Sequence, residues 1–198
     1  MAGWTFESPI LQRMSPHAAP KDIFQAACDE LGRYFARDGL RYVRSRPRLE
    51  HKRGDFTLTM ALWSSRSNLA GESIALEVVS AVCSTALKKW IKTTGVGRND
   101  GLFTVDTRDP ETGKYRKYFD VWGITPATFP DLAEEIRAWC WAPMAALGAG
   151  EVPDPLPARL EIIEDNYACW LWMRGEHARA LAVPDLEPEL VTALKQLG

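Results

Sequence analysis

"DFTLTMALW", residues 55–63, has a period of two, and that period decides the fold. Phe56, Leu58, Met60 and Leu62 fall on one side of an extended chain, with Thr57, Thr59 and Trp63 on the other. Strict alternation of this kind marks a strand with one face in a core and one towards water. The same reading extends to "ESIALEVVSAV" (72–82), where Ile74, Leu76 and Val78 share a face. "GLFTVDTRD" (101–109) and "YRKYFDVWGI" (115–124) supply two more strands around a turn that holds Pro110 and Gly113. "LRYVRS" (40–45) and "RPRLEHK" (46–52) form an opening hairpin with Pro47 near its bend. In "STALKKWIKTTG" (84–95) the β-branched residues favour a further strand over residues 86–94, with a short helix as the alternative.

On either side of this block the period changes to that of a helix. In "PKDIFQAACDELGRYFARDG" (20–39), Ile23, Phe24, Ala27, Cys28, Leu31, Tyr34 and Phe35 make one stripe. Pro20 suits the first turn, Asp22 complements the dipole, and Gly39 ends the helix. A second helix follows Thr128 as N-cap, with Phe129, Leu132, Ile136 and Trp139 on one face, until Pro143 kinks or ends it. "GAGEVPDPLP" (148–157) reads as a linker, and residues 157–184 and 187–197 read as helices, including a helical hairpin broken at Gly175. The expected fold is therefore α+β: an antiparallel sheet of five or six strands flanked by helices. The expected division is an irregular arm at 1–19 anchored by Trp4, Phe6 and Ile10, an α+β domain at 20–147, and a helical extension at 148–198 packed on it.

The composition is that of a globular protein, with 46% hydrophobic residues and a net charge of −2. Tryptophan is in excess, with eight in 198 residues, where average usage gives roughly two or three. Tryptophan serves cores more often than binding faces. Cys28, Cys83, Cys140 and Cys169 stand far apart in apolar surroundings with no C-x-x-C pair. They read as reduced, buried thiols, so a reducing cytoplasm is the expected location. The amino terminus lacks the pattern of a secretory signal, and no apolar run is long enough for a membrane span, so no membrane partner is expected.

Catalytic patterns are scarce. The three histidines, His17, His51 and His177, carry no metal-binding spacing, and each reads as an exposed side chain on a turn. There is no G-x-S-x-G elbow, and "GVGRNDG" (95–101) has G-x-G without the third glycine or a βαβ setting. Neither a metal nor a cofactor is expected. Asp106, Asp120 and Glu77 could pair across strands for acid–base work, and a hydrolase assembled from such acids with Tyr115 or Tyr118 is the third-ranked function.

Charge is divided along the chain. Residues 40–117 carry 15 basic and 8 acidic side chains, while residues 151–198 carry 4 basic and 9 acidic. "RYVRSRPRLEHKRG" (41–54) concentrates six cations against Glu50. On a strand Tyr42, Arg44 and Arg46 share a face. Arginine among aromatics suits a nucleic-acid groove or a protein hot spot, and cations on an edge hairpin also discourage edge pairing. The first reading is a non-enzymatic module binding one protein partner through Tyr42, Arg44, Arg46, Trp63 and Trp90. The second is a nucleic-acid-binding or regulatory protein using the basic 41–53 hairpin.

The stretch "FQAACDELGRYFARDGLRYVRSRPRLEHKRGDFTLTMALWSS" (24–65), followed by strands and a helix, resembles a bacterial family of uncharacterised domains, the 4304 group of domains of unknown function. The resemblance covers roughly residues 20–147, with Leu40 where an aromatic residue is expected after Gly39. Such domains are similar in style to the small immunity proteins that neutralise bacterial toxins. That implies a stoichiometric inhibitor and carries over no site residues.

Overall fold

β3 (Phe56–Ser64) and β4 (Ala75–Ser84) pair antiparallel along nine residues, from Phe56 opposite Ser84 to Ser64 opposite Leu76. Around them the computed structural model, which describes residues 4–197, builds a single antiparallel sheet. β1 (Arg41–Val43) and β2 (Arg48–Arg53) form the expected hairpin on the β3 side, bending through residues 44–47. On its other side β4 takes two partners, β5 (Gly101–Val105) at one end and β6 (Tyr118–Asp120) at the other. The class is α+β with helices flanking an antiparallel sheet, as the periodicities predict.

The sheet gains a seventh strand from an unexpected place. Residues 157–184 read as helical, yet β7 (Leu160–Ile162) pairs antiparallel with β5. Helix does not run through this segment because Arg159 sits at φ +70°, outside the right-handed helical region. The tail is therefore part of the sheet as well as a run of helices, α6 (Glu164–Met173), α7 (His177–Leu181) and α8 (Pro188–Leu197). Gly175, at φ +79°, makes the turn between α6 and α7.

A second difference falls at residues 86–94. The β-branched residues favoured strand, but α3 (Thr85–Thr94) is a helix. Ser84 caps it by accepting from the Leu87 amide, and Asp55, in the β2–β3 turn, accepts from the Ala86 amide at 2.8 Å. Thr93 and Thr94 satisfy their hydroxyls on the carbonyls of Lys89 and Trp90. Tertiary capping outweighs a preference worth about 1 kcal/mol across the whole β scale.

The remaining helices lie against the buried side of the sheet. α1 (Pro9–Gln12) gives the arm a short ordered turn, and the buried Glu30 carboxylate fixes it by accepting from the amides of Glu7 and Ser8. α2 (Pro20–Phe35) carries the expected apolar stripe and ends through a 3-10 turn at Gly39. A Cβ on Gly32 would stand 2.7 Å from the Tyr42 ring, so this glycine lets β1 approach the helix. α4 (Phe129–Ile136) continues through a wide π turn at Arg137–Trp141 into α5 (Ala142–Ala145).

Pro143 explains that turn. It has no N–H for the carbonyl one turn earlier, so the local ladder opens. Arg159 takes up the freed groups, donating to Trp139 O at 2.7 Å and Ala138 O at 3.3 Å while its guanidinium lies 4.1 Å from the Trp139 ring centre. Its Nε also donates to Asp106 O. Replacing Arg159 with alanine strips three carbonyls of a donor and should lower stability by about 1–3 kcal/mol. Urea unfolding measures this, and a loss below about 0.5 kcal/mol would show that water replaces the guanidinium.

Candidate functional site

Burial alternates along all of β4 and along β3 from Phe56 to Trp63, and it is one-sided. Phe56, Leu58, Met60 and Leu62 on β3, with Leu76, Val78 and Val82 on β4, are buried in the core. Their neighbours Thr57, Thr59, Ala61, Val79 and Ala81 are only half-buried. The helices thus close one face of the sheet and leave the other open. One row of this open face can be read straight across six strands: Arg41, Glu50, Thr59, Ala81, Thr104 and Glu161. Its ends are long and charged, and its middle three are short. The result is a shallow trough floored by β3, β4 and β5.

One end of the trough is aromatic. Trp63 stands opposite Glu77, and Glu77 stands opposite Tyr118, so these three share a row. Lys117 Nζ is 2.7 Å from the Glu77 carboxylate and lies 5.1 and 5.4 Å from the ring centres of Tyr118 and Tyr115. The bond to Glu77 holds the ammonium above the usual lysine pKa. Trp63, Tyr115 and Tyr118 are 57%, 55% and 56% exposed, and no other described tryptophan, tyrosine or phenylalanine is as open. Of the eight tryptophans, Trp63 alone is exposed. Where β5 and β6 diverge beside this cluster, Val79, Thr104, Arg108, Tyr115 and Lys117 line a depression.

The five residues expected to bind a partner do not form one site. Arg46 and Trp63 meet, with Pro47, Arg48 and Ala61, in a shallow hollow on the open face. Tyr42 is turned to the helical side, where its hydroxyl accepts from Gln25 at 2.8 Å and burial raises its pKa. Arg44 is held by Asp29 at 3.1 Å, and Trp90 is partly buried against the core. Alternation placed Tyr42, Arg44 and Arg46 on one face, but β1 ends at Val43, and the bend separates them. Glu77, Lys117, Tyr115 and Tyr118 join Trp63 instead. The sequence places both tyrosines within an expected strand at 115–124, of which only Tyr118–Asp120 is strand, while their convergence with Trp63 depends on β6 pairing with β4.

Most of the cations in the 41–54 stretch are occupied. Arg41 and Arg48 both pair with Glu50, and Arg53 donates to the carbonyls of Ala145 and Leu147. Among the described residues, Arg46 and Lys52 have no ion-pair partner.

The acids do not assemble for catalysis. Glu77 is engaged by Lys117, Asp120 accepts from the amides of Ile74 and Trp122, and Asp106 accepts from Arg108. The Arg108 amide, with its guanidinium second, holds the Asp106 carboxyl below its usual pKa. His51 is not on a turn: it lies half-buried on β2, with Nδ1 3.1 Å from Gly39 O and its ring against Trp141. His177 stacks on Trp172 at 4.1 Å. Among the described residues, no three His, Cys, Asp or Glu side chains are grouped to hold a metal, and no helix is long and apolar enough to cross a membrane.

No family model, curated protein or solved structure matches the chain. The resemblance to the 4304 group accordingly rests on the pattern of residues 20–147 alone.

Three of the four free thiols are buried as expected, but Cys83 is half-exposed, opposite Thr57 on the open face. Burial, then the Asp100 charge, pushes its pKa up to about 11. A thiol-specific disulfide reagent should therefore label Cys83 first. The rate should rise about tenfold per pH unit through the neutral and mildly alkaline range, because only the thiolate reacts. Peptide mapping of the labelled protein checks this, and first labelling at Cys28 would contradict the stated accessibility.

Proposed function

We propose that this chain is a non-enzymatic protein-binding module that docks one partner on the open face of its sheet. The observation that carries the reading is the meeting of Trp63, Tyr115 and Tyr118 at one end of that face. Tryptophan and tyrosine dominate interface hot spots because they bury large area at little entropic cost. Leaving three such rings in water while seven other tryptophans are wholly or partly buried is a cost that partner burial would offset. A stoichiometric inhibitor in the style of immunity proteins fits this role, and a reducing cytoplasm suits the four free thiols. A protein partner ranks above nucleic acid because the exposed rings share their face with Glu50, Glu77 and Glu161, while Arg44 and Arg53 are turned to Asp29 and to the carbonyls of Ala145 and Leu147.

Replacing Trp63 and Tyr118 together with alanine should weaken capture of the partner from the chain's own cells by about thirtyfold or more, the scale of a hot spot. Stability should stay within about 0.5 kcal/mol of the parent, as for other exposed positions. Quantitative mass spectrometry of the captured material and urea unfolding read the two quantities. Undiminished capture, or a loss of stability large enough to account for the loss of binding, would return both rings to a purely structural role.

A further inference from the structure

The trough is asymmetric in charge. Along the β2 side stand Arg41, Arg48 and Lys52, with Glu50 as the one acid among them, and Arg46 adds a further cation at the Trp63 end. Glu50 engages Arg41 through Nη2 and Arg48 through Nε. Each guanidinium has five N–H donors, so most remain free. The opposite side carries Arg108 and Lys117, but Asp106, Glu161 and Glu77 more than cancel them.

The dimensions narrow the occupant further. Glu50 and Glu161 close the row through Thr59, Ala81 and Thr104, four strand spacings apart, which is about 19 Å. Thr57 to Ala61 gives the floor a length of about 13 Å before Trp63 closes it. An α-helix about 10–12 Å across fits between those sides with its axis along the strands, whereas a second sheet of several strands would collide with the charged rims. Helices already cover the other face, so a helix here completes a third layer.

We infer that the partner of this face is an α-helix whose small apolar side rests on Thr59, Ala61, Val79 and Ala81, and whose acidic edge lies along Arg41, Arg48 and Lys52. The inference rests on the docking reading above and adds the occupant's shape and charge. Trp63 and Tyr118 cap the end of the bound helix, and the charge difference between the two sides fixes which way round it lies.

Two synthetic alanine-based helices of about 15 residues, long enough to be partly helical alone, test this on the full-length chain. They share one apolar stripe and differ in carrying glutamate or lysine along one edge. In amide NMR titrations the glutamate helix should shift Thr59, Ala61, Val79, Ala81 and Lys52. The lysine helix should bind at least about tenfold more weakly, as expected for like charges brought together. The double variant R41E/K52E should reverse that preference while keeping the native spectrum elsewhere. Equal affinity for both helices, shifts outside the trough, or no binding of the glutamate helix would overturn the inference. Stronger shifts of the same amides by a short single-stranded oligonucleotide would also overturn it and place nucleic acid there. If R41E/K52E captures the cellular partner normally while the Trp63 and Tyr118 variant does not, the docking reading stands and the acidic helix falls. If neither variant affects capture, the docking reading itself has failed.

Discussion

The nine-residue ladder between β3 and β4 is the constraint on which the rest depends. Because side chains alternate across a strand, one register assigns every apolar residue of both strands to one face. A slip by one residue would put Leu58 and Met60 in water and Thr59 and Ala61 in the core. The register is held at one end by Asp55, which links the β2–β3 turn to Ser84 and to the start of α3. With that face fixed, α2, α4 and α6 have an apolar surface to cover, and the opposite face is left to short polar and small side chains.

The strands that carry this period were legible from the residues alone. "DFTLTMALW" and "ESIALEVVSAV" show it plainly, and the stripe from Ile23 to Phe35 shows a helix. Two elements were not legible, and each depends on a contact distant in sequence. α3 is a helix because Asp55, some thirty positions earlier, caps it. β7 is a strand because β5 offers a free edge to Leu160–Ile162 and Arg159 is anchored on the carbonyls that Pro143 releases. Local propensity contains neither piece of information.

The candidate site was legible only in part. Trp63 stood out by alternating away from the apolar face of its strand, and the structure leaves it exposed. The expected grouping of Tyr42, Arg44 and Arg46 fails because a three-residue strand ends before Arg44, so alternation has no meaning beyond it. Tyr115 and Tyr118 could be seen, but their place beside Trp63 follows from the double pairing of β4, which no local pattern announces. The basic stretch at 41–54 could be read as a cationic binding surface or as a charged sheet edge, and three of its six cations lie in ion pairs, Arg41 and Arg48 with Glu50 and Arg44 with Asp29. Exposed pairs of this kind contribute little stability. Their effect is to arrange donors along one side of the open face.

The central claim is that this uncovered face is where a partner is held. Hydroxyl-radical footprinting of the chain, alone and in complex with the partner captured from its own cells, tests it most directly. Oxidation of Trp63, Tyr115 and Tyr118 should be rapid in the free chain and should fall together in the complex. Unchanged oxidation of these three rings, with protection appearing instead over α7 and α8, would place the interface on the acidic tail and contradict the account.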